Sequence, residues 1–154
     1  MIKSWIEAMR LRTLPVSLAG VIAGIACAVF LGKFNAVPAV LCLLFATLAL
    51  IVNNYRDMED DVAVNKRTTV VIFGRKIMGR VYLWSGIIGM LLMLPLWLSL
   101  PAWSLITPIL YMVLHINTWR QLKKSLGVQL NPLLGKTAIN LLVFAVLLLV
   151  NVSI

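Results

Sequence analysis

The chain has 154 residues, of which 62% are hydrophobic and 12% are charged, and its formal net charge is +9. This apolar share exceeds the roughly 45–50% of an ordinary soluble domain and, with a mean hydropathy of +1.00, argues against that class and predicts a protein of the lipid bilayer. The charge does not predict a nucleic-acid-binding protein, because basic residues beside apolar spans usually mark the cytoplasmic side of a membrane.

The amino-terminal third of the chain predicts a surface helix followed by two membrane spans. Ser4 and Glu7 match a capping box, and apolar and basic side chains occupy opposite faces at helical spacing, so residues 1–13 are predicted to form a short amphipathic helix at the interface. Residues 14–31 and 36–52 are then nearly uninterrupted apolar stretches. Each is close to the roughly 20 residues that a membrane helix needs.

Three more apolar stretches complete the predicted fold. They are residues 81–100, 102–116 and 137–152. A segment rich in charged residues, 53–80, separates them from the earlier spans. The fold class predicted is therefore an all-α, polytopic transmembrane bundle of about five spans in a single domain, with a cytoplasmic loop at 53–80. Cys27 and Cys42 both lie in apolar spans, without the spacing of a disulfide framework or a metal site.

The distribution of basic residues predicts the orientation of the chain. If the amino terminus is cytoplasmic, thirteen of the fourteen lysines and arginines lie inside and only Lys33 lies outside. Such a bias sets the topology of membrane proteins. We therefore expect a multi-pass protein of the inner (cytoplasmic) membrane, with its amino terminus and residues 53–80 on the cytoplasmic side.

Within that segment, oxygen-bearing side chains recur at helical spacing. Asn53, Asp57 and Asp61 stand at i, i+4 and i+8, and they would share one face if the helix of the second span continued through them. Two carboxylates and an amide oxygen suit Mg²⁺, which prefers oxygen ligands and is often completed by phosphates of a substrate. These three residues are the predicted metal ligands.

Basic residues directly downstream predict the ligand of that site. Lys66 and Arg67 could hold phosphate oxygens, and the neighbouring apolar spans could hold a lipid chain, so the implied ligand is a lipid diphosphate. Spacing alone leaves an alternative about equally open, in which the four acids between 57 and 61 merely balance nearby basic residues in water. Asn131 could either cap the last span or face the site, and His115 is expected to be buried with a backbone partner.

The charged segment resembles a known motif. Asn53 to Asp61, followed by Asn65 to Thr68, is similar to the second aspartate-rich motif of the UbiA superfamily of membrane prenyltransferases. It is closest to the 1,4-dihydroxy-2-naphthoate polyprenyltransferases of menaquinone synthesis. Residues 5–15 look like the amino terminus of that branch, and residues 131–137 look like its last cytoplasmic loop.

The resemblance implies a helical bundle around a central cavity and a Mg²⁺-dependent reaction. A polyprenyl group would move from its diphosphate to dihydroxynaphthoate, with loss of the carboxylate of the acceptor. Asp57 and Asp61 would be the catalytic, metal-holding residues, and Lys66, Arg67 and Arg10 would hold the diphosphate. The metal and basic side chains would stabilise charge on the leaving group.

The family also has an earlier Asn-x-x-x-Asp-x-x-x-Asp motif that this sequence lacks, so several hypotheses stay open. In the first, the chain is a prenyltransferase that a second copy or another chain completes. In the second, it is a non-catalytic truncated membrane protein or a small helical subunit that retains lipid or cation binding. A small ion-coupled transporter ranks last, because its charges would be expected within the spans.

Overall fold

The computed structural model describes residues 36–153, together with residues 19, 22–24, 26, 29 and 30, which are helical. The predicted surface helix 1–13 and Arg10 lie outside the described residues, as does most of the first predicted span. In the described part of the chain every regular element is a helix, which confirms the all-α fold class.

Residues 36–153 alternate long helices with short ones. Two of the short elements are 3₁₀ helices, at Ala102–Leu105 and Gly127–Leu130. The α-helices are α1 (Ala36–Arg56), α2 (Met58–Ala63), α3 (Thr69–Leu92), α4 (Leu94–Ser99), α5 (Ile106–Leu122) and α6 (Asn131–Ser153).

The structure corrects the prediction that residues 53–80 form a loop. Helix α1 continues to Arg56, α2 follows after one residue, and α3 begins at Thr69, well before the predicted start of a span at residue 81. The error has a physical cause. Hydropathy locates the part of a helix that suits hydrocarbon, whereas backbone hydrogen bonding continues the same helix through polar residues.

Two local features interrupt α3 and its continuation. Gly74 has φ 77° and ψ 159°, which glycine adopts readily because it has no Cβ, and the helix changes direction there. Met93 leaves helical geometry between α3 and α4, two residues before Pro95. Proline lacks the N–H that would bond the carbonyl four residues earlier, so a break is expected there.

The four long helices pack into a bundle. Helix α1 packs on α3 and α6, and α5 also packs on α3 and α6, which closes the ring. An aromatic cluster fills the centre of the bundle. The centroid of the Phe144 ring lies 5.0 Å from the centroid of the Tyr111 ring and 5.3 Å from that of the Phe45 ring. His115 stacks between Tyr82 and Tyr111, and its Nε2 lies 3.2 Å from the carbonyl oxygen of Leu83, as expected for a buried histidine.

Side-chain contacts define the two ends of the bundle. At one end Asn151 donates to Thr107 over 2.8 Å, which joins the end of α6 to the start of α5. At the other, Arg56 at the end of α1 reaches Asn131 at the start of α6. We call this second end, formed by residues 53–80 and 119–136, the charged end.

Within the described residues, two helices are long and apolar enough to cross a membrane, judged by length and composition. They are Thr69–Ser99 and Gly127–Ser153, which contain the predicted spans 81–100 and 137–152. The predicted span 102–116 is not one of them. The count of five spans therefore stays a prediction.

Candidate functional site

The predicted motif lies where α1 meets α2. Asp57 interrupts the helix with φ −89° and ψ 6°. Helical hydrogen bonds nevertheless run on both sides of it, from the Asp57 N–H to the Asn53 carbonyl at 3.1 Å and from the Asp61 N–H to the Asp57 carbonyl at 2.8 Å. The continuous helix that would put Asn53, Asp57 and Asp61 on one face is thus broken at its middle member.

Arg56 organises the first half of the motif. Its guanidinium donates to both carboxylate oxygens of Asp57, at 2.5 Å and 2.7 Å, and to the amide oxygen of Asn53 at 3.0 Å. It also donates to the amide oxygen of Asn131 at 3.5 Å. The hydrogen bond to Asp57 raises the pKa of Arg56. The oxygens of two predicted metal ligands, Asn53 and Asp57, therefore face a positive charge from the chain itself.

A cavity of about 610 Å³ opens beside this cluster. The turn of the second 3₁₀ helix forms one wall of it, from Leu126 to Gln129, with Asn131 beside it. The wall from the motif carries one guanidinium and three carboxylates, contributed by Arg56, Asp57, Glu59 and Asp60. This volume falls in the range of small-molecule sites.

Asp61 does not line this cavity. Its side chain is buried, Oδ1 accepts a hydrogen bond from Lys66 Nζ at 2.9 Å, and Oδ2 is buried without a hydrogen-bond partner among the described residues. Arg67 is exposed to solvent. The structure thus brings Asn53 and Asp57 together, pairs Asp61 with Lys66, and keeps these two groups separate.

Of the residues that line the cavity, only Asp57 was among the predicted site residues. Arg56, Glu59 and Asp60 stand within the motif but off its i, i+4, i+8 spacing, so periodicity did not select them. Asn131 was left undecided between a cap and the site, and it lines the cavity and contacts Arg56. Its position within the second segment that resembles the family was the available signal.

The donor atoms were tested for their fit to Mg²⁺. The described residues hold no group of three or more histidine, cysteine, aspartate or glutamate side chains placed to bind a metal ion. The predicted set differs from such a group, because it has two carboxylates and an amide. Its oxygens suit Mg²⁺ chemically, but Arg56 bonds those of Asn53 and Asp57 and Lys66 bonds one of Asp61.

Comparison with known proteins identifies no relative. No family model matches the chain, and neither a curated protein nor a solved structure matches it. The resemblance to the UbiA superfamily therefore rests on the motif residues themselves.

Proposed function

We propose that this protein is a multi-pass membrane prenyltransferase of the UbiA type, which moves a polyprenyl group from its diphosphate to 1,4-dihydroxy-2-naphthoate. One observation carries the proposal. Two of the three segments that resemble the family, around Arg56 and around Asn131, line one cavity. These two residues are 75 positions apart in sequence, and the guanidinium of Arg56 donates to the amide oxygen of Asn131 at 3.5 Å.

The outer surface of the bundle supports a location in the bilayer. Apolar side chains are exposed at helical spacing on α3 and again on α6, and soluble monomers rarely expose continuous apolar surface of this extent. On α3 they are Ile77, Val81, Trp84, Ile88 and Leu91, and on α6 they are Ile139, Val143, Val146 and Val150. We place the charged end at the cytoplasmic face, where the basic residues are expected.

The cavity offers the chemistry that a diphosphate leaving group requires. Asp57 and Asp60 are the lining carboxylates that would hold Mg²⁺. Arg56 is the lining guanidinium, and its Nη1, which makes only the 3.5 Å bond to Asn131 among the described residues, would donate to a phosphate oxygen. Bound Mg²⁺ would supply positive charge to the leaving group. Lys66, Arg67 and Arg10 remain the diphosphate contacts that the resemblance implies. Lys66 and Arg67 do not line this cavity, and Arg10 lies outside the described residues.

The test is prenyl transfer by the purified chain in lipid, with a polyprenyl diphosphate, dihydroxynaphthoate and Mg²⁺. We expect Asp57→Asn and Asp60→Asn each to lower the rate by about 100-fold or more, as loss of a group that stabilises transition-state charge does. Asp61→Asn separates two hypotheses about the metal ligands. If Asp61 binds the metal, as the motif predicts, its substitution should lower the rate as much as Asp57→Asn does. If the ligands are the carboxylates that line the cavity, the rate should fall only slightly. Lys124→Gln, at an exposed position outside the lining of this cavity, is the control. Product formation that survives Asp57→Asn would refute the proposal.

A second candidate, a non-catalytic membrane protein that retains lipid or cation binding, is favoured by one specific observation. Each of three motif acids is paired with a basic side chain of the same chain: Asp57 with Arg56, Glu59 with Arg75, and Asp61 with Lys66. Such balance is typical of a structural charge cluster. Folded protein that binds a prenyl diphosphate analogue but forms no product would support this candidate.

The enzyme hypothesis includes a second copy or another chain that supplies the missing first aspartate motif. If the active form is an oligomer, the activity per chain should rise with the number of chains per vesicle, because assembly depends on concentration.

A further inference from the structure

We propose that the charged end holds a second site, a pocket for a phosphate group, on the side of the bundle where α3 meets α5. It has a volume of about 370 Å³, and four basic residues line it: Arg75, Lys76, Arg80 and Lys123. It is distinct from the cavity beside Asp57, and the inference does not depend on prenyl transfer.

The charge of this pocket is unbalanced. No carboxylate lines it. Among the ion pairs of the described residues, Arg75 has a partner in Glu59 at 2.7 Å, whereas Lys76, Arg80 and Lys123 take part in none. Like charges held around one concave surface repel one another unless an anion offsets them. The pocket therefore favours an anionic ligand.

Arg75 is held in place and still has an unused donor. Its Nη2 donates to Glu59 at 2.7 Å and to the backbone carbonyl of Tyr55 at 3.2 Å. Its Nε is buried and has no hydrogen-bond partner among the described residues. A buried charged donor without an acceptor is unfavourable, and an anion in the pocket that Arg75 lines would offset the charge of its guanidinium.

Neighbouring contacts fix the shape of the pocket. Trp119 Nε1 donates to the carbonyl of Gly79 at 2.9 Å, and Lys123 Nζ lies 3.8 Å from the centre of the Trp119 ring. The Tyr55 hydroxyl donates to the carbonyl of Arg75. Gly79 permits this approach, since a Cβ there would lie 2.7 Å from that hydroxyl oxygen. These contacts hold the backbone and the aromatic side chains between the basic residues in a defined geometry.

Phosphate is the anion that this lining suits best. Arginine binds phosphate oxygens as a planar fork and lysine binds them as a point charge, and the pocket offers two of each. Leu126, which is exposed, adds apolar surface to the same lining. The chemistry fits either the headgroup of an anionic phospholipid or a free phosphate, and these two sources can be told apart by experiment.

The experiment is calorimetric titration of the full chain in phosphatidylcholine nanodiscs, once with dihexanoyl phosphatidic acid and once with inorganic phosphate. The test variant is Arg80→Gln with Lys123→Gln, both in the lining. The matched control is Arg120→Gln with Lys124→Gln, which removes the same charges from exposed positions outside the lining. We expect affinity to fall about tenfold or more in the test variant and less than about twofold in the control, because the test variant loses two charge-assisted hydrogen bonds.

The outcomes are decisive in either direction. Saturable binding of both ligands identifies the phosphate group as the recognised feature. Binding of the lipid alone identifies a headgroup site in which the apolar surface of the lining also contacts the lipid. An equal loss in the control, or no saturable binding of either ligand, overturns the proposal. If the double variant fails to fold, the single variants Arg80→Gln and Lys123→Gln replace it, each with an expected loss of about threefold or more.

Discussion

At the residue scale, the carboxylate of Asp61 is buried and paired with a neighbouring lysine instead of lining the cavity with Asp57. Its side chain is only 7% exposed, and its partner Lys66 is 62% exposed. The lysine therefore reaches from solvent to a buried charge. Burying a charge is costly unless it is paired, so this ion pair has a structural role as well as the role in diphosphate binding that the motif predicts.

Substitution Lys66→Met tests this structural role. It removes the one cation of the described residues that is hydrogen-bonded to the buried Asp61 carboxylate. We expect the free energy of unfolding to fall by about 1–3 kcal/mol. Thermal unfolding in detergent measures the change. Arg67→Met, at the exposed neighbouring position, is the control and should cost less than about 0.5 kcal/mol. Combining Lys66→Met with Asp61→Asn should recover much of the loss, and an additive loss instead would argue against the pair.

At the element scale, the close packing of α3 against α5 depends on small residues in α3. Gly86 faces His115, and a Cβ at Gly86 would lie 2.3 Å from its Nε2. The imidazole cannot easily move, because it stacks between two tyrosines and contacts the Leu83 carbonyl. This helix pair is therefore specified by the absence of a side chain at one position.

We expect Gly86→Ala to destabilise the protein by about 1–3 kcal/mol, the usual cost of overpacking a filled core. Gly135→Ala is the matched control, because Gly135 lies in α6 and a Cβ there would meet nothing within 4 Å. That change should leave stability equal or raise it by roughly 0.5–1 kcal/mol, since alanine favours helices. Thermal unfolding of both variants decides the matter, and equal stability of the two would contradict the packing.

At the scale of the whole molecule, the bundle predicts which surfaces share a side of the membrane. Val64 and Val128 are exposed at the charged end, and Trp103 is exposed near the opposite end, where Asn151 contacts Ser104 and Thr107. If α3 and α6 cross a bilayer, these positions lie on opposite sides of it.

Cysteine labelling tests this topology in sealed vesicles. In a chain with Cys27 and Cys42 replaced by serine, Val64→Cys and Val128→Cys should react with a membrane-impermeant maleimide from the same side, and Trp103→Cys from the other. The positive-inside rule places the first two in the cytoplasm. Labelling of all three from one side would refute the transmembrane arrangement.

Much of this architecture follows from local sequence. Apolar runs longer than about 18 residues specify helices, and the predicted spans 81–100 and 137–152 lie within helices long enough to cross a membrane. Pro95 marks the break at Met93, and the burial of His115 was expected. The acids around Asp57 also identified the region of the larger cavity, because four acids in five positions stand out in so apolar a chain.

Sequence by itself therefore determined the helical character, the apolar spans and the position of the charged motif, because each depends on residues close together in the chain. Tertiary structure decided which motif oxygens face a cavity: the break at Asp57 and the contact with Lys66 separate Asp61 from Asp57. It also brought Asn131 to Arg56 and Lys123 to the basic residues of α3. Periodicity cannot specify such pairings, because they depend on how separate helices pack against one another.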